Sequence, residues 1–273
     1  MPELPEVETV VRGLRTAVTG KVLAGVVCRY TKINRDNPRG WRRMLTGHRF
    51  LTVRRRGKNI LMDLSGGLTL WVHLKMTGHF YFADLDTPPG PHDLVLFDLK
   101  GEDRQLRYQD TRRFGRVRLF LTNTVMEQKG LADLGPEPLE ITRPDFVARM
   151  NRTGRMIKPA LLDQRFLAGI GNIYADESLF RAKIHPRAQT NGISARKVNA
   201  LYDAIRDVLT AAIANMGTTV DTFAGVEGEF GGFQSYLQAY GREGEPCLNC
   251  GGTIRREVIG SRSAHYCPRC QRV

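Results

Sequence analysis

Cys247-Leu248-Asn249-Cys250 and Cys267-Pro268-Arg269-Cys270 are two cysteine pairs, each with two residues inside it, set sixteen residues apart. Each C-x2-C bends one knuckle so that two thiolates converge, and two knuckles at this spacing complete the tetrahedron of a closed structural zinc site. The stretch between them, Thr253 to Tyr266, can run out and back as a short β-hairpin. Disulfides or a redox pair are the alternatives, and neither accounts for two doublets in a chain expected to be cytoplasmic. His265 lies close by, but four thiolates already saturate such a site. One structural Zn2+ is therefore expected on Cys247, Cys250, Cys267 and Cys270, contributing on the order of 10 kcal/mol to the folding of this small module. The fifth cysteine, Cys28, falls in the apolar run Val26-Val27-Cys28 and reads as an inert core residue.

Working outward, the 28 residues from Gly217 to Gly244 hold seven of the chain's 28 glycines. A glycine-rich stretch of that length reads as a mobile functional loop or as a plain connector. Before it the pattern is helical, over 145–150, 156–163, 172–180 and 195–216. Residues 121 to 142 lack clear periodicity and contain Gly135-Pro136-Glu137-Pro138, which reads as a linker. Between Lys21 and Phe120 the texture is short β-type runs (22–30, 59–64, 68–74, 93–99, 117–120) separated by turns such as Ser65-Gly66-Gly67 and Pro88-Pro89-Gly90-Pro91. That pattern suggests a β-sandwich or barrel. At the N-terminus Val7, Val10, Val11 and Leu14 recur at helical spacing after Pro5, a good first-turn residue. The fold class expected is α+β.

The chain has 273 residues, 41 Lys+Arg and 28 Asp+Glu, giving a net charge of +13. Such a balance points to nucleic acid or an anionic membrane surface. No apolar run approaches the roughly 18 residues of a spanning helix, and the acidic, proline-broken start is unlike a secretory signal. A cytoplasmic protein with no membrane partner, and a monomer, is expected. From Arg29 to Lys58 eleven residues are Lys or Arg and only Asp36 is acidic; such a run is often only a solvated face. In Arg112-Arg113-Phe114-Gly115-Arg116-Val117-Arg118 basic and apolar residues alternate around an aromatic. An aromatic or aliphatic wedge flanked by arginines suits the unstacking of DNA. The zinc module adds Arg255, Arg256, Arg262, Arg269 and Arg272.

Several stretches together resemble the bacterial formamidopyrimidine-DNA glycosylase family. They are Pro2-Glu3-Leu4-Pro5-Glu6-Val7-Glu8-Thr9, Arg56-Gly57-Lys58, His73-Leu74-Lys75-Met76-Thr77-Gly78 and Arg112-Arg113-Phe114-Gly115. Gly169-Ile170-Gly171-Asn172-Ile173-Tyr174-Ala175-Asp176-Glu177 and Tyr240-Gly241-Arg242-Glu243-Gly244 follow in order, ahead of the four cysteines. The resemblance spans essentially the whole chain. It implies an N-terminal helix and β-sandwich (1–125), a linker (126–142), a helix-two-turn-helix domain with a lesion-capping loop (143–240, the loop about 217–240) and a zinc finger (241–273). It also implies a DNA repair enzyme acting on duplex DNA in the bacterial cytoplasm, at the nucleoid. Such an enzyme removes oxidised purines, 8-oxoguanine and formamidopyrimidines, and then cuts the abasic strand.

The same resemblance assigns roles. Pro2 becomes the nucleophile through its own nitrogen once Met1 is removed, and a small second residue favours that removal. A secondary amine can displace the base at C1′ and leave an iminium, an electron sink that drives β- and then δ-elimination. An ordinary α-amine titrates near about 7.7–8.0, so a useful fraction is neutral at pH 7. Glu3 is the acid/base partner and Glu6 a supporting carboxylate, although acids also favour a helix N-terminus for structural reasons. Lys58 falls near the damaged base and its phosphate, and Arg262 is a phosphate contact that assists the δ-elimination. Met76, Arg112 and Phe114 fill the space left by a flipped nucleotide; taken singly, Met76 and Phe114 would read as core. Arg113 faces a phosphate. Asn172 follows a tight Gly169-Ile170-Gly171 turn whose helix amides suit a phosphate, and His73, His92, Arg155 and Tyr240 are further backbone contacts. Two rival readings stand beside it, an endonuclease VIII-type glycosylase for oxidised pyrimidines and a non-catalytic zinc-containing lesion-binding protein. Leu4 and the intact Arg112-Arg113-Phe114 favour the purine enzyme over the first, and Pro2, Glu3 and Lys58 argue against the second.

Overall fold

Helix α1 (Leu4–Val18) turns Leu4, Val7, Val10, Val11, Leu14 and Val18 into the interior, the stripe its 3.6-residue period dictates. In the computed structural model, which describes residues 1–34, 36–219 and 224–272, that stripe covers a core shared by two four-stranded antiparallel sheets. One sheet contains β1 (Leu23–Cys28), β5 (Gly78–Asp84), β6 (Asp93–Leu99) and β7 (Arg104–Asp110) in the order β1-β6-β7-β5. The other contains β2 (Phe50–Arg56), β3 (Asn59–Leu64), β4 (Leu68–His73) and β8 (Arg116–Leu121) in the order β2-β3-β4-β8. Helix α2 (Trp41–Leu45) packs against β1. The expected sandwich is present. Strands β2, β5 and β7 were not among the expected runs.

Two compact units divide the chain: residues 1–132 with 215–232, and residues 133–214 with 233–273. The second unit begins with α3 (Arg143–Asn151), α4 (Ile157–Leu162), α5 (Asn172–Arg181) and α6 (Ala195–Ala214), close to the four helical stretches read from periodicity. It ends in the hairpin β9 (Arg255–Ile259) and β10 (Arg262–Tyr266). The zinc module is not separate from the helices, because Cys247, Cys267 and Ile254 share a small core with Phe180 of α5 and Ala239. The glycine-rich segment, expected in the helical domain, instead divides between the units. Within 215–232 Val226 is buried against Gly13 of α1, and Glu227 pairs with Arg104 at 2.9 Å. Residues 220–223 of the expected capping loop lie outside the described residues. Among the described residues no helix is long and apolar enough to cross a membrane.

Candidate functional site

The first unit builds its site on the start of α1. Glu3 occupies the N-cap, and its side chain and that of Glu6 form a reciprocal capping box, Glu6 Oε2 accepting the Glu3 N–H at 2.8 Å. The other oxygen, Oε1, accepts the Thr218 N–H at 2.7 Å. One buried carboxylate thus joins residue 3 to residue 218. Gly217 beside it has φ +79°, and a Cβ there would fall 2.7 Å from the same Oε1. Pro2 precedes this cap, with Met1 half-exposed ahead of it. Lys58 follows Gly57 (φ 56°) in the tight β2–β3 turn and is buried. On the next turn of α1, burial pushes the Glu8 carboxyl up, but its bonds to Arg55 (2.9 Å) and Arg12 (3.0 Å) win and hold it below its ordinary value.

A second cluster in this unit joins the loop after β4 to the β7–β8 turn. Met76 is 43% exposed and Phe114 50% exposed, so neither is a core residue. Arg112 links them: its Nη1 lies 2.8 Å from Met76 Sδ and its guanidinium stands 4.9 Å over the Phe114 ring. Buried Asp110 holds the turn. Its Oδ1 accepts from Thr77 Oγ1 at 2.5 Å and from the Arg112 N–H at 3.2 Å, and its Oδ2 from the Gly115 N–H at 2.7 Å. Beneath lies the Tyr108 hydroxyl, which a Cβ on Gly78 or on Gly115 would strike far inside contact distance. That contact explains the glycines that end Met76-Thr77-Gly78 and Phe114-Gly115. Arg113, in the left-handed region at φ 58°, covers the Tyr30 ring at 5.1 Å. His73 Nδ1 accepts the Lys75 N–H at 3.0 Å. Burial, then the Lys75 and Lys58 charges, lower its pKa to about 3 and keep the ring neutral. Burial, then Arg116 and Arg118, also pull Lys75 below its ordinary value. His92 accepts the Asp110 N–H at its carbonyl, 3.0 Å, while its Nδ1 is enclosed with no hydrogen-bond partner among the described residues.

In the second unit Asn172 is the first residue of α5, after Gly169 (φ 91°) and the N-cap Gly171. Its Nδ2 donates to Ser263 Oγ at 3.1 Å, next to the exposed Arg262 that opens β10. Asn172 Oδ1 is buried with no partner among the described residues. Tyr240 meets the His265 ring edge-on at 5.0 Å. Its backbone, with those of Gln238 and Ala239, donates to buried Glu177 at 2.8–2.9 Å. Asn172, Arg262 and Tyr240 are therefore gathered around one strand. Arg155 is engaged elsewhere, its Nη1 on Asp163 at 2.8 Å. Sequence reasoning missed Asp110, Lys158, Asp176 and Glu177 as organisers. Asp110, directly before the Thr111-Arg112 turn, was the most readable of them.

The four cysteine sulfurs lie within 4.8 Å of one another. Cys247 and Cys270 are 3.9 Å apart, and Cys250 and Cys267 3.5 Å. Zn–S bonds of about 2.3 Å in a tetrahedron place sulfurs about 3.8 Å apart, so the set fits zinc. Backbone bonding from Gly252, then the neighbouring thiols, draws Cys250 down to about 7, while burial and the same sulfurs push Cys270 up to about 12. Thiols this crowded require a cation before all four can ionise.

Residues 1–117 match the formamidopyrimidine-DNA glycosylase N-terminal domain, 134–224 the formamidopyrimidine-DNA glycosylase H2TH domain, and 244–273 the zinc finger found in FPG and IleRS. A formamidopyrimidine-DNA glycosylase of Pelotomaculum thermopropionicum is 44% identical over the full length of both chains, and that of Lactiplantibacillus plantarum 42%. A point mutant of Lactococcus lactis FPG, in complex with DNA containing Fapy-dG, has a TM-score of 0.93 at 34% identity, covering all of both chains. Lactococcus lactis Fpg with abasic-site DNA has a TM-score of 0.92 at 34% identity, over 99% of this chain and all of that one. With one structural zinc on its four cysteines, a helix-capped sandwich and an H2TH module, this chain belongs to the formamidopyrimidine-DNA glycosylase family of DNA glycosylases.

Proposed function

We propose that this protein excises oxidised purines, 8-oxoguanine and formamidopyrimidines, from duplex DNA and then cleaves the abasic strand by β,δ-elimination. The observation that carries the reading is the Met76–Arg112–Phe114 wedge: two half-exposed apolar side chains bridged by one guanidinium. Apolar groups held this far out of a core, with a cation between them, suit the gap left by an extruded nucleotide. Flipping costs a few kcal/mol, and the wedge offsets it by restacking the neighbours. Arg112 then faces the orphaned base and Arg113 a phosphate.

After Met1 is removed, the neutral Pro2 nitrogen attacks C1′ and the base leaves with the glycosidic electron pair. Glu3 protonates the ring oxygen as the sugar opens, giving an iminium on Pro2. Loss of a 2′ proton to a carboxylate sends electrons toward the iminium and expels the 3′ phosphate. A second loss, from C4′, expels the 5′ phosphate and leaves a one-nucleotide gap. Glu6 supports this chemistry by holding the Glu3 backbone. Lys58, His73 and His92 bind the strand near the lesion, and Asn172, Tyr240, Arg155 and Arg262 bind phosphates, with Arg262 assisting the second elimination. Zinc, when bound, joins the two ends of the hairpin that carries Arg262. The net charge of +13 favours DNA and, through self-repulsion, a monomer, which is read as working on nucleoid DNA in the cytoplasm.

The test uses duplexes with one 8-oxoguanine, one formamidopyrimidine, one oxidised pyrimidine or no lesion. Incision on the two purine lesions that leaves phosphate at both ends of the gap is expected. Preference for the pyrimidine lesion would move the protein to the endonuclease VIII type, and binding without incision would make it a lesion-binding protein.

A further inference from the structure

Arg262 sits at the tip of the β9–β10 hairpin, and the zinc ligand Cys267 lies at the other end of β10, just after Tyr266. Five residue steps of strand separate them, about 17 Å, and an isolated two-stranded hairpin is marginal in water. The metal therefore fixes the base of the hairpin, and other contacts must fix its tip. Three of them do so in succession. At the turn, Gly260 (φ 56°) leaves room for Pro159 of α4, whose Cγ would lie 3.1 Å from any Cβ there. At Ser263, Lys158 Nζ donates to the backbone carbonyl while Asn172 holds the hydroxyl. At His265, Asp176 Oδ2 accepts from the backbone N–H at 2.9 Å and faces Nδ1 at 3.1 Å. Lys158 and Asp176 are themselves joined at 2.5 Å and are both fully buried.

A buried ion pair is a poor source of stability, because an apolar pair of the same volume often does as well. What this pair adds is direction. Lys158 spends one N–H on the carbonyl immediately after Arg262, and Asp176 spends an oxygen on a backbone N–H three residues beyond it. Asn172 and Asp176, four residues apart, present one face of α5 to the strand. A slip of β10 by one residue would break these bonds and turn Arg262 to the opposite face of the hairpin.

We propose that Lys158 and Asp176 are positioning residues that lock the register of β10 on α5 and so aim Arg262, which makes their buried pair a determinant of how far strand cleavage proceeds. The inference rests on the proposed role of Arg262 in the second elimination. Without the clamp, base removal and β-elimination continue on Pro2, but the opened sugar stays attached to the 5′ phosphate.

Full-length, zinc-loaded Asp176→Asn and Lys158→Met are compared with the parent and with Arg262→Ala on a duplex with one abasic site. Zinc content is measured on every sample, and the β- and δ-products are resolved by size. The δ-to-β product ratio is expected to fall about tenfold to a hundredfold in both clamp variants, the effect of misplacing a group by about 1 Å, as it does in Arg262→Ala. The β-elimination rate is expected to stay close to the parent's, with one zinc per chain. An unchanged ratio in zinc-replete clamp variants, beside a lowered one in Arg262→Ala, would overturn the inference. So would equal losses in every step, which describe a merely structural role. An unchanged ratio in Arg262→Ala would instead remove the role assigned to Arg262, and the aiming argument with it. Should Asp176→Asn lose zinc, Lys158→Met, which keeps the aliphatic stem packed, decides the matter.

Discussion

Gly217→Ala should damage this protein far more than alanine at a positive-φ glycine with open space around it, and two independent contributions set the size. The first is the backbone: Gly217 has φ +79°, and an L side chain in the left-handed region costs roughly 1–2 kcal/mol. The second is the carboxylate of Glu6, whose Oε1 would lie 2.7 Å from the new Cβ and its Cγ 3.0 Å. Glu6 is buried and holds the Thr218 and Glu3 amides, so it can retreat only by releasing them. Losing even one of these hydrogen bonds to a charged group costs about 1.5–3 kcal/mol, which brings the sum to at least roughly 2.5–5 kcal/mol. Gly20→Ala is the matched control: its φ is +85° with nothing within 4 Å, so only the backbone contribution applies, about 1–2 kcal/mol. Urea unfolding followed by tryptophan fluorescence measures both, since Trp41 and Trp71 lie in the first unit. Equal losses in the two variants would refute the reasoning, because the Glu6 bridge would then carry no energy of its own.

Phe114→Ala should leave stability within about 0.5 kcal/mol, as for other exposed positions, yet slow excision from duplex DNA about tenfold to a hundredfold, the worth of one stacked base. Single-turnover kinetics on duplex and on single-stranded abasic DNA would show the duplex rate falling alone. His73, held neutral with a pKa near 3 by burial and by Lys75 and Lys58, makes the folded state bind fewer protons than the unfolded state between its ordinary pKa of about 6.5 and that value. Stability is then lost as pH falls through this window, at up to about 1.4 kcal/mol per pH unit, and His73→Asn should show a shallower acid slope in urea melts from pH 6 to 4. Removing zinc with a chelator should speed amide exchange over 244–272 and weaken DNA binding, while β5, β6 and β7 stay protected; simultaneous loss of both units would contradict the division described.

The helices and the zinc knuckles were legible because local patterns specify them: the apolar stripe of α1, the cysteine spacing, and the turn glycines around Asn172. Strands β2 and β7 hid behind charge. Arg54, Arg55 and Arg56 read as a basic run, yet Arg54 pairs with Asp63 and Arg55 with Glu8, partners 9 and 47 residues away. Arg107 is fully buried in β7, where it donates to Gln105 and to the Thr87 carbonyl and lies 3.6 Å from Asp93, so strict apolar alternation fails there. The site divides the same way. Cysteine spacing picked out the metal ligands, and motif order put Pro2, Glu3 and Lys58 forward as candidates. The bonds that organise the site run between distant positions, Glu6 to Thr218 across 212 residues and Asp176 to His265 across 89, and only folding brings them together.

The central claim is that chemistry occurs on the nitrogen of Pro2, and borohydride trapping tests it most directly. A preparation shown by mass to begin at Pro2 is mixed with a duplex carrying one 8-oxoguanine and with an undamaged duplex, and the iminium is reduced as it forms. The account predicts a covalent protein–DNA adduct on the damaged duplex alone, with the mass of the cross-link on the N-terminal peptide, and no adduct from Pro2→Gly on that duplex at a comparable rate. An adduct on any lysine-containing internal peptide, or strand cleavage with no adduct at all, would contradict it.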